Sequence, residues 1–285
     1  DGLTWQSFNP IASLEHVQDP PSNSVAPKAS KANIRLRTVQ YNVKSITQRD
    51  TYGNLGKKRR LRSELVRCQL QELGAHLIGL QETRNPQGER PCKGFFVLSS
   101  GCDRTAEEGG LGVELWANLQ APYGRKGAKE FLFHQRHFRT IHASPRVLYV
   151  AVRAPGLSLN VCVAHAPHAR LPKSVVQKFW EELGTLFANT PPDLLLTDAN
   201  GRVGSSSSDL VGAEGFCQEQ DWTGELFHKL CADAQLAVTN TFVAQSNDFT
   251  FQGTDGDRHR IDYVCADLDL KRGLRGTLVL HDFET

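Results

Sequence analysis

The sequence predicts an α/β fold, on three observations. Residues 57–73 and 173–188 repeat their apolar side chains at helical spacing. Around them run short apolar segments, Leu77-Ile78-Gly79-Leu80 and Leu194-Leu195-Leu196 among them, which read as buried strands. Several of these segments stop at an Asn, Asp, Glu or His, and open α/β sheets present their ligands at the carboxyl ends of strands.

The 285 residues suffice for a sizeable core in one large domain or two small ones. A net charge of +2 points to no partner by itself. Lys57-Lys58-Arg59-Arg60 and Arg258-His259-Arg260 are dense enough to meet phosphate, although solvated surface charge is the commoner fate of such clusters. No apolar run is long enough to span a bilayer, and no charged-then-apolar signal opens the chain. An intracellular setting, nuclear or cytoplasmic, is therefore expected. The seven cysteines are odd in number and form no Cys-x-x-Cys. They read as small core hydrophobes in a reduced compartment, neither zinc ligands nor a disulfide framework. The chain starts at Asp1 and contains no Met, so it is expected to be a piece of a longer open reading frame.

Residues 1–32 mix four prolines with Ser, Asn and Lys and show no apolar periodicity; they read as a disordered lead or linker. Order is expected from residue 33 to residue 285. Residues 34–43 open it with apolar–basic alternation, as in a half-buried strand, and this run ends at Asn42. The helix at 57–73 repeats Leu61, Leu65 and Cys68 on one face, with Val66, Leu70 and Leu73 beside them, and stops at Gly74. Leu77 to Leu80 is the next strand, ending in Gln81-Glu82. Residues 94–163 are strand-rich, with segments at 95–98, 111–116, 131–133, 147–152 and 157–163; the last two form a hairpin through Pro155-Gly156. That hairpin runs into His165-Ala166-Pro167-His168. Pro172 precedes the second helix, whose apolar face includes Val176, Phe179, Trp180, Leu183 and Phe187. A flexible serine run at 205–208 follows the Leu194 strand, and residues 224–235 form a third helix. Asp262 lies in a short strand between Ile261 and Val264, where a carboxylate needs a cation or a histidine as partner.

The densest chemistry is in Thr197-Asp198-Ala199-Asn200-Gly201. Asp198 and Asn200 have alternate spacing and share one side while the chain stays extended. Asp198 can orient or deprotonate a water, and Asn200 can hold Asp198 or donate to a developing oxyanion. An Asx-type turn, in which both side chains bond only local backbone, explains the same residues. Asn42 equally suits the start of a turn, Glu82 a surface carboxylate, and His165 a structural imidazole. Five segments that each deliver such a group at a strand end describe a metal-assisted hydrolytic site on a sheet edge.

The ordered set Tyr41-Asn42-Val43, Leu80-Gln81-Glu82-Thr83, His165-Ala166-Pro167-His168, Thr197-Asp198-Ala199-Asn200 and Arg260-Ile261-Asp262-Tyr263 resembles the endonuclease/exonuclease/phosphatase superfamily. Within it, Asp198 to Gly204, Gly212 to Gly215, Trp222 to Leu226, Thr239 to Phe242 and Phe249-Thr250-Phe251 are similar to the endonuclease domain of LINE-type retroelements and their host-derived relatives. The resemblance implies a four-layer αββα sandwich, two stacked mixed sheets with helices outside each. It implies Mg2+, with Mn2+ as substitute, held by Asn42 and Glu82. It assigns Asp198 to the attacking water, Asn200 as its partner, His165 to the scissile phosphate, and Asp262 to the support of a catalytic histidine. Arg84, His168, Arg202 and Arg260 are the implied nucleic-acid contacts. A reverse transcriptase domain in the same longer chain is the implied partner.

The sequence departs from the family pattern in three places. Lys44 stands where some repair-type members carry a carboxylate near the metal. His168 stands where many have Asn. The final Ser-Asp-His is absent, and only His281-Asp282 occurs near the end. The resemblance puts that motif at or just beyond Thr285, so the domain is expected to lack its last strand and to nick poorly. The function expected is Mg2+-dependent hydrolysis of a DNA phosphodiester. Other readings are a phosphoesterase of the same superfamily acting on RNA or a small phosphoester, and a catalytically impaired nucleic-acid-binding remnant.

Overall fold

A computed structural model of the chain describes residues 9–16, 32–44, 46, 57–103, 112–205, 208–214, 216, 218–243, 249–253 and 255–280, with the side chains of 9–16 and 57–61 excepted. In chain order its first half contains strands β1 (Asn9–His16), β2 (Asn33–Asn42), β3 (Leu77–Gln81), β4 (Gly88–Cys92), β5 (Phe95–Ser99), β6 (Val113–Asn118), β7 (Gly124–Lys126) and β8 (Lys129–Phe131). Helix α1 (Lys57–Glu72) links β2 to β3. The second half contains β9 (Phe138–Ser144), β10 (Val147–Ala154), β11 (Leu157–His165), β12 (Leu194–Asp198), β13 (Leu236–Val238), β14 (Phe251–Gln252), β15 (Arg258–His259), β16 (Asp262–Asp267) and β17 (Leu274–Leu280). Its helices are α2 (Lys173–Asn189), α3 (Trp222–Asp233) and the short α4 (Leu268–Arg272).

The first sheet has the order β17-β1-β2-β3-β6-β5-β4, and the β7–β8 hairpin attaches at the start of β2. The second has the order β13-β16-β12-β11-β10-β9, and β14 pairs with β15 apart from both. Parallel pairs β2–β3 and β11–β12 make both sheets mixed. The βαβ links need crossover helices, which α1 and α2 supply on the outer faces.

Strand alternation builds four layers. Leu194 and Leu196 of β12 face inward and pack with Leu77, Leu98, Leu115, Val163 and Val264 between the sheets. Leu195 points outward, against Phe179, Trp180 and Phe227 of α2 and α3. On the other side Ile78 and Leu80 meet Val66 and Leu70 of α1. The expected αββα architecture is therefore present. Gly79 faces the second sheet, and a Cβ there would lie 2.7 Å from that of Leu196.

Three differences from the sequence reading concern packing. Helix α1 buries Val66 and Leu70, whereas Leu65 is exposed and Cys68 half-buried. Both stripes are apolar, and only the sheet decides which one is covered. Helix α3 begins two residues early because Asp221 caps it, accepting from the Gly224 amide at 2.7 Å. Strand β1 lies within the segment read as a linker. Backbone pairing to β2 and β17 incorporates it, and such pairing requires no apolar alternation. Residues 1–8 and 17–31 of that lead lie outside the described residues, as do Ser206, Ser207, Cys217 and His281-Asp282. The other six cysteines are free, with Cys162, Cys231 and Cys265 buried. No described helix is long and apolar enough to cross a membrane.

At the far end of the second sheet, Asp193 carries a testable load. Burial pushes its carboxyl up to about 6, reinforced by Asp267 and opposed by the Asn160 amide. A carboxyl with a raised folded pKa binds its proton more tightly in the folded state, so stability falls as pH rises from the ordinary carboxylate range through pH 6. Asp193→Asn should keep the Asn160 contact and remove that penalty. Stability should rise by about 1–2 kcal/mol at pH 8, after discounting for partial exposure, and be unchanged near pH 3. Thermal melts at both pH values check it; an equal gain at each would contradict the titration account.

Candidate active site

The polar strand ends converge at one edge. In the second sheet His165 stands opposite Asp198, which stands opposite Asp262, in one row across β11, β12 and β16. In the first sheet Asn42 stands opposite Gln81, with Glu82 one residue beyond. The parallel pairs β2–β3 and β11–β12 each bring two carboxyl ends together, so topology gathers Asn42 with Glu82 and His165 with Asp198, and the stacking of the sheets joins the two pairs.

Side-chain contacts close the gap between sheets. Asn42 Nδ2 donates to Glu82 Oε1 and to Asp198 Oδ2, both at 2.9 Å. His165 Nε2 lies 3.8 Å from Asp198 Oδ2 and 4.0 Å from Glu82 Oε1. The His165 Nδ1 is buried without a hydrogen-bond partner. Asp198 Oδ1 accepts from the Asn200 amide at 3.0 Å, so the Asx turn exists and coexists with the site. The two carboxylate oxygens divide the labour, one fixing the loop and the other facing Asn42. The Asn200 side chain instead donates to Ala166 O at 2.9 Å, locking the His165 loop to the Asp198 loop.

Among the described residues the hydrogen bond to the Asp262 carboxylate comes from a neutral side chain. Gln40 Nε2 donates to its Oδ1 at 2.8 Å, and to Gln81 Oε1 at 2.9 Å. The Thr250 hydroxyl oxygen accepts from the Asp262 backbone amide at 3.0 Å. Gln40 thus stands at hydrogen-bond distance as a neutral donor, and Thr250 and the Lys44 charge also favour the ionised carboxylate. Gln40 and Thr250 are functional neighbours that the sequence reading left without a role. A signal for Gln40 was present: Thr38, Gln40 and Asn42 alternate along the second half of β2, continuing the face of Ile34 and Leu36 with buried polar residues.

The electrostatics follow from burial. Desolvation raises the pKa of Asp198, partly offset by His165 and Asn42. Desolvation holds His165 below the ordinary imidazole value against the pull of Asp198 and Glu82. Asp262 is raised well above the carboxylate range by burial first and Asp198 second. Backbone strain gathers here too. Among the described residues Lys44, Glu82, Arg84 and Asn200 have φ of 47°, 56°, 58° and 46°. Side chains rarely adopt these values, and they persist only where surrounding bonds impose them. The Glu82 loop is tied by the Thr83 amide to Gly112 O at 3.1 Å and by Asn85 to buried Glu114 at 2.9 Å.

The remaining candidates are scattered. Arg84 is half exposed, 3.9 Å from Glu82, and His168 is exposed on the loop after β11. Arg202 is bridged to the α3 cap Asp221 at 3.2 Å. Arg260 is buried, and its backbone is bonded by Gln218 and Tyr263. These contacts make Arg202 and Arg260 anchors of the Asp198 and Asp262 loops in this arrangement. The side chains of Lys57-Lys58-Arg59-Arg60 lie outside the described residues.

Glu82 and Asp198 supply hard oxygens, as Mg2+ requires. Asn42 presents its amide nitrogen to them, while its Oδ1 accepts from the Lys44 amide at 3.1 Å. A ligand role for Asn42 requires the amide turned over, an assignment that hydrogen-bond networks decide. So turned, Asn42 would offer an oxygen beside Glu82, the two residues that could hold one ion. No group of three His, Cys, Asp or Glu suited to a metal occurs among the described residues.

No protein-family model matches the sequence. No curated protein matches it in sequence either. Solved structures do match. The endonuclease domain of TRAS1, a telomere-specific non-LTR retrotransposon, aligns with a TM-score of 0.52 at 15% identity, over 79% of this chain and 88% of that one. The 3′ phosphatase NExo from Neisseria, bound to product DNA hairpin, aligns at 0.51 and 16% identity, over 84% and 88%. The likeness is one of fold: the chain shares the architecture of these two structures.

Proposed function

Given an endonuclease/exonuclease/phosphatase fold with a polar cluster at its edge, we propose that this chain is a divalent-metal-dependent phosphodiesterase that nicks DNA. The observation that carries the reading is the meeting of Asn42, Glu82, His165 and Asp198, from two sheets, within 4.0 Å contacts of one another. In this reading Asp198 Oδ2 takes the proton of the attacking water, a task that its raised pKa suits. Neutral His165 donates from Nε2 to a phosphate oxygen. Asn200 keeps the two loops in register, and Gln40 holds Asp262 behind Asp198. Glu82 and the turned Asn42 amide would hold Mg2+ or Mn2+; when bound, the ion neutralises charge on the phosphate and the leaving oxygen. Arg84 and His168, at the rim, are the backbone contacts.

The resemblance of the Asp198 to Gly204 region to LINE-type endonucleases supports a retroelement setting, with a reverse transcriptase domain as partner in the longer chain. A second reading is favoured by the NExo likeness: removal of a 3′-phosphate from a DNA end. One assay separates them. Supercoiled plasmid and a 3′-phosphorylated duplex are incubated with the chain in Mg2+, Mn2+ or chelator. Slow, metal-dependent conversion to nicked circles is expected. Phosphate release without nicking would transfer the reading to a phosphomonoesterase, and inactivity on both substrates with either metal would sink it.

A further inference from the structure

The described surface neutralises many of its cations locally. Arg67 and Lys93 share Glu64, Lys229 pairs with Asp233, and Arg272 with Asp269. Residues 124–144 break this habit. They hold five Lys and Arg against a single acid, Glu130, which Arg125 bridges. The other four, Lys126, Lys129, Arg136 and Arg139, are exposed and form no ion pair among the described residues. Lys126 and Lys129 stand directly opposite each other across the β7–β8 hairpin. Like charges in that position destabilise a strand pair, a cost that an anion lying over both would remove.

The surface rests on packed aromatic rings. Tyr123 stacks on Phe133 at 4.4 Å, Phe133 meets Phe138 edge-on at 5.3 Å, and Phe131 lies 6.2 Å from Tyr123. This aromatic cluster fixes the hairpin against the turn at Gln135–His137 that carries Arg136 and leads into Arg139. Cations on such a base lose little freedom on binding. The surface is also remote from the candidate site. Asn33, at the start of β2, pairs with Arg125, whereas Asn42 ends β2 in the site. The nine strand steps between them span about 30 Å.

We propose that the β7–β8 hairpin and the turn before β9 form a second nucleic-acid surface, gripping the phosphate backbone of duplex DNA outside the segment held in the catalytic site. The proposal rests on the DNA reading above. Duplex DNA is the chemical match because it carries about one charge per 1.7 Å of axis, enough to meet all four cations at once. An apolar partner or lipid surface has little to bind here, since Leu132 is the one exposed large hydrophobic residue of the described segment.

Lys126→Glu tests this with two readouts that move in opposite directions. It turns a like-charge cross-strand pair into an attractive one, so Tm should rise by about 1–3 °C. Affinity for a duplex of ~40 bp should fall about tenfold at low salt. Affinity for a duplex of ~10 bp centred on the site, reaching only ~17 Å to either side, should be unchanged. Replacing Lys126, Lys129, Arg136 and Arg139 together by Ala should reduce the log–log salt slope for the long duplex by about 3–4. Unchanged long-duplex affinity and slope in both variants would overturn the proposal. So would a loss confined to single-stranded RNA. Failure of the unaltered chain to bind either duplex would instead remove the DNA reading on which it rests.

Discussion

Asp198→Asn is expected to lower turnover by about 10³–10⁴-fold while changing DNA affinity by less than about threefold. The substitution is isosteric, and the amide oxygen can keep the bond from the Asn200 amide that shapes the loop. The other atom becomes a nitrogen where an acceptor stood. The base is lost, and the charge that draws a proton toward His165 is lost with it. Binding should survive, because removing a buried negative charge near a phosphate does not weaken its approach. Single-turnover cleavage and equilibrium binding in one buffer measure both quantities. Equal losses in the two would reduce Asp198 to its Asx-turn role.

Glu82→Gln should abolish metal-dependent cleavage, a loss of at least about 10³-fold, with the fold retained. Glu82 is the most exposed of the acids at the site, with a side chain 20% accessible against 5% for Asp198. It is therefore the carboxylate that a divalent ion can reach with least reorganisation. Glutamine preserves the contact with Asn42 and the size of the side chain but supplies no charge. Titration calorimetry with Mn2+ should show binding weakened at least about tenfold, and Tm should move by no more than about 2 °C. Wild-type cleavage that persists in chelator would exclude this role, whatever the variant did.

The strand ends were legible because they are local events. Leu194-Leu195-Leu196 followed by Asp198 and Gly201 needs only burial and turn chemistry to be read, and the same holds for Leu77 to Glu82 and Val161 to His165. The helices were legible for a related reason, except that α1 offered two apolar stripes and the sequence ranked the wrong one first. Lys44, Glu82 and Asn200 gave no hint of left-handed backbone, since nothing in those residue types requires it. Their conformations are imposed from outside, for Glu82 through Gly112 and Glu114 on a neighbouring strand.

The sequence by itself determined the α/β class and the polar residue types at the strand ends, because both are read along single segments; the four-layer arrangement was what the family resemblance implied. Tertiary structure alone decided what those residues do to one another. Gln40 reaches Asp262 across 222 positions and Asn42 reaches Asp198 across 156. Arg260 looked like a phosphate ligand and is buried, while Lys126 and Lys129, unremarked in the sequence, are set face to face by a hairpin. A hydrogen bond or an ion pair depends on a few ångströms between atoms of distant segments. Local pattern specifies which face of a strand is buried, and only the stacking of the second sheet on the first specifies what it is buried against.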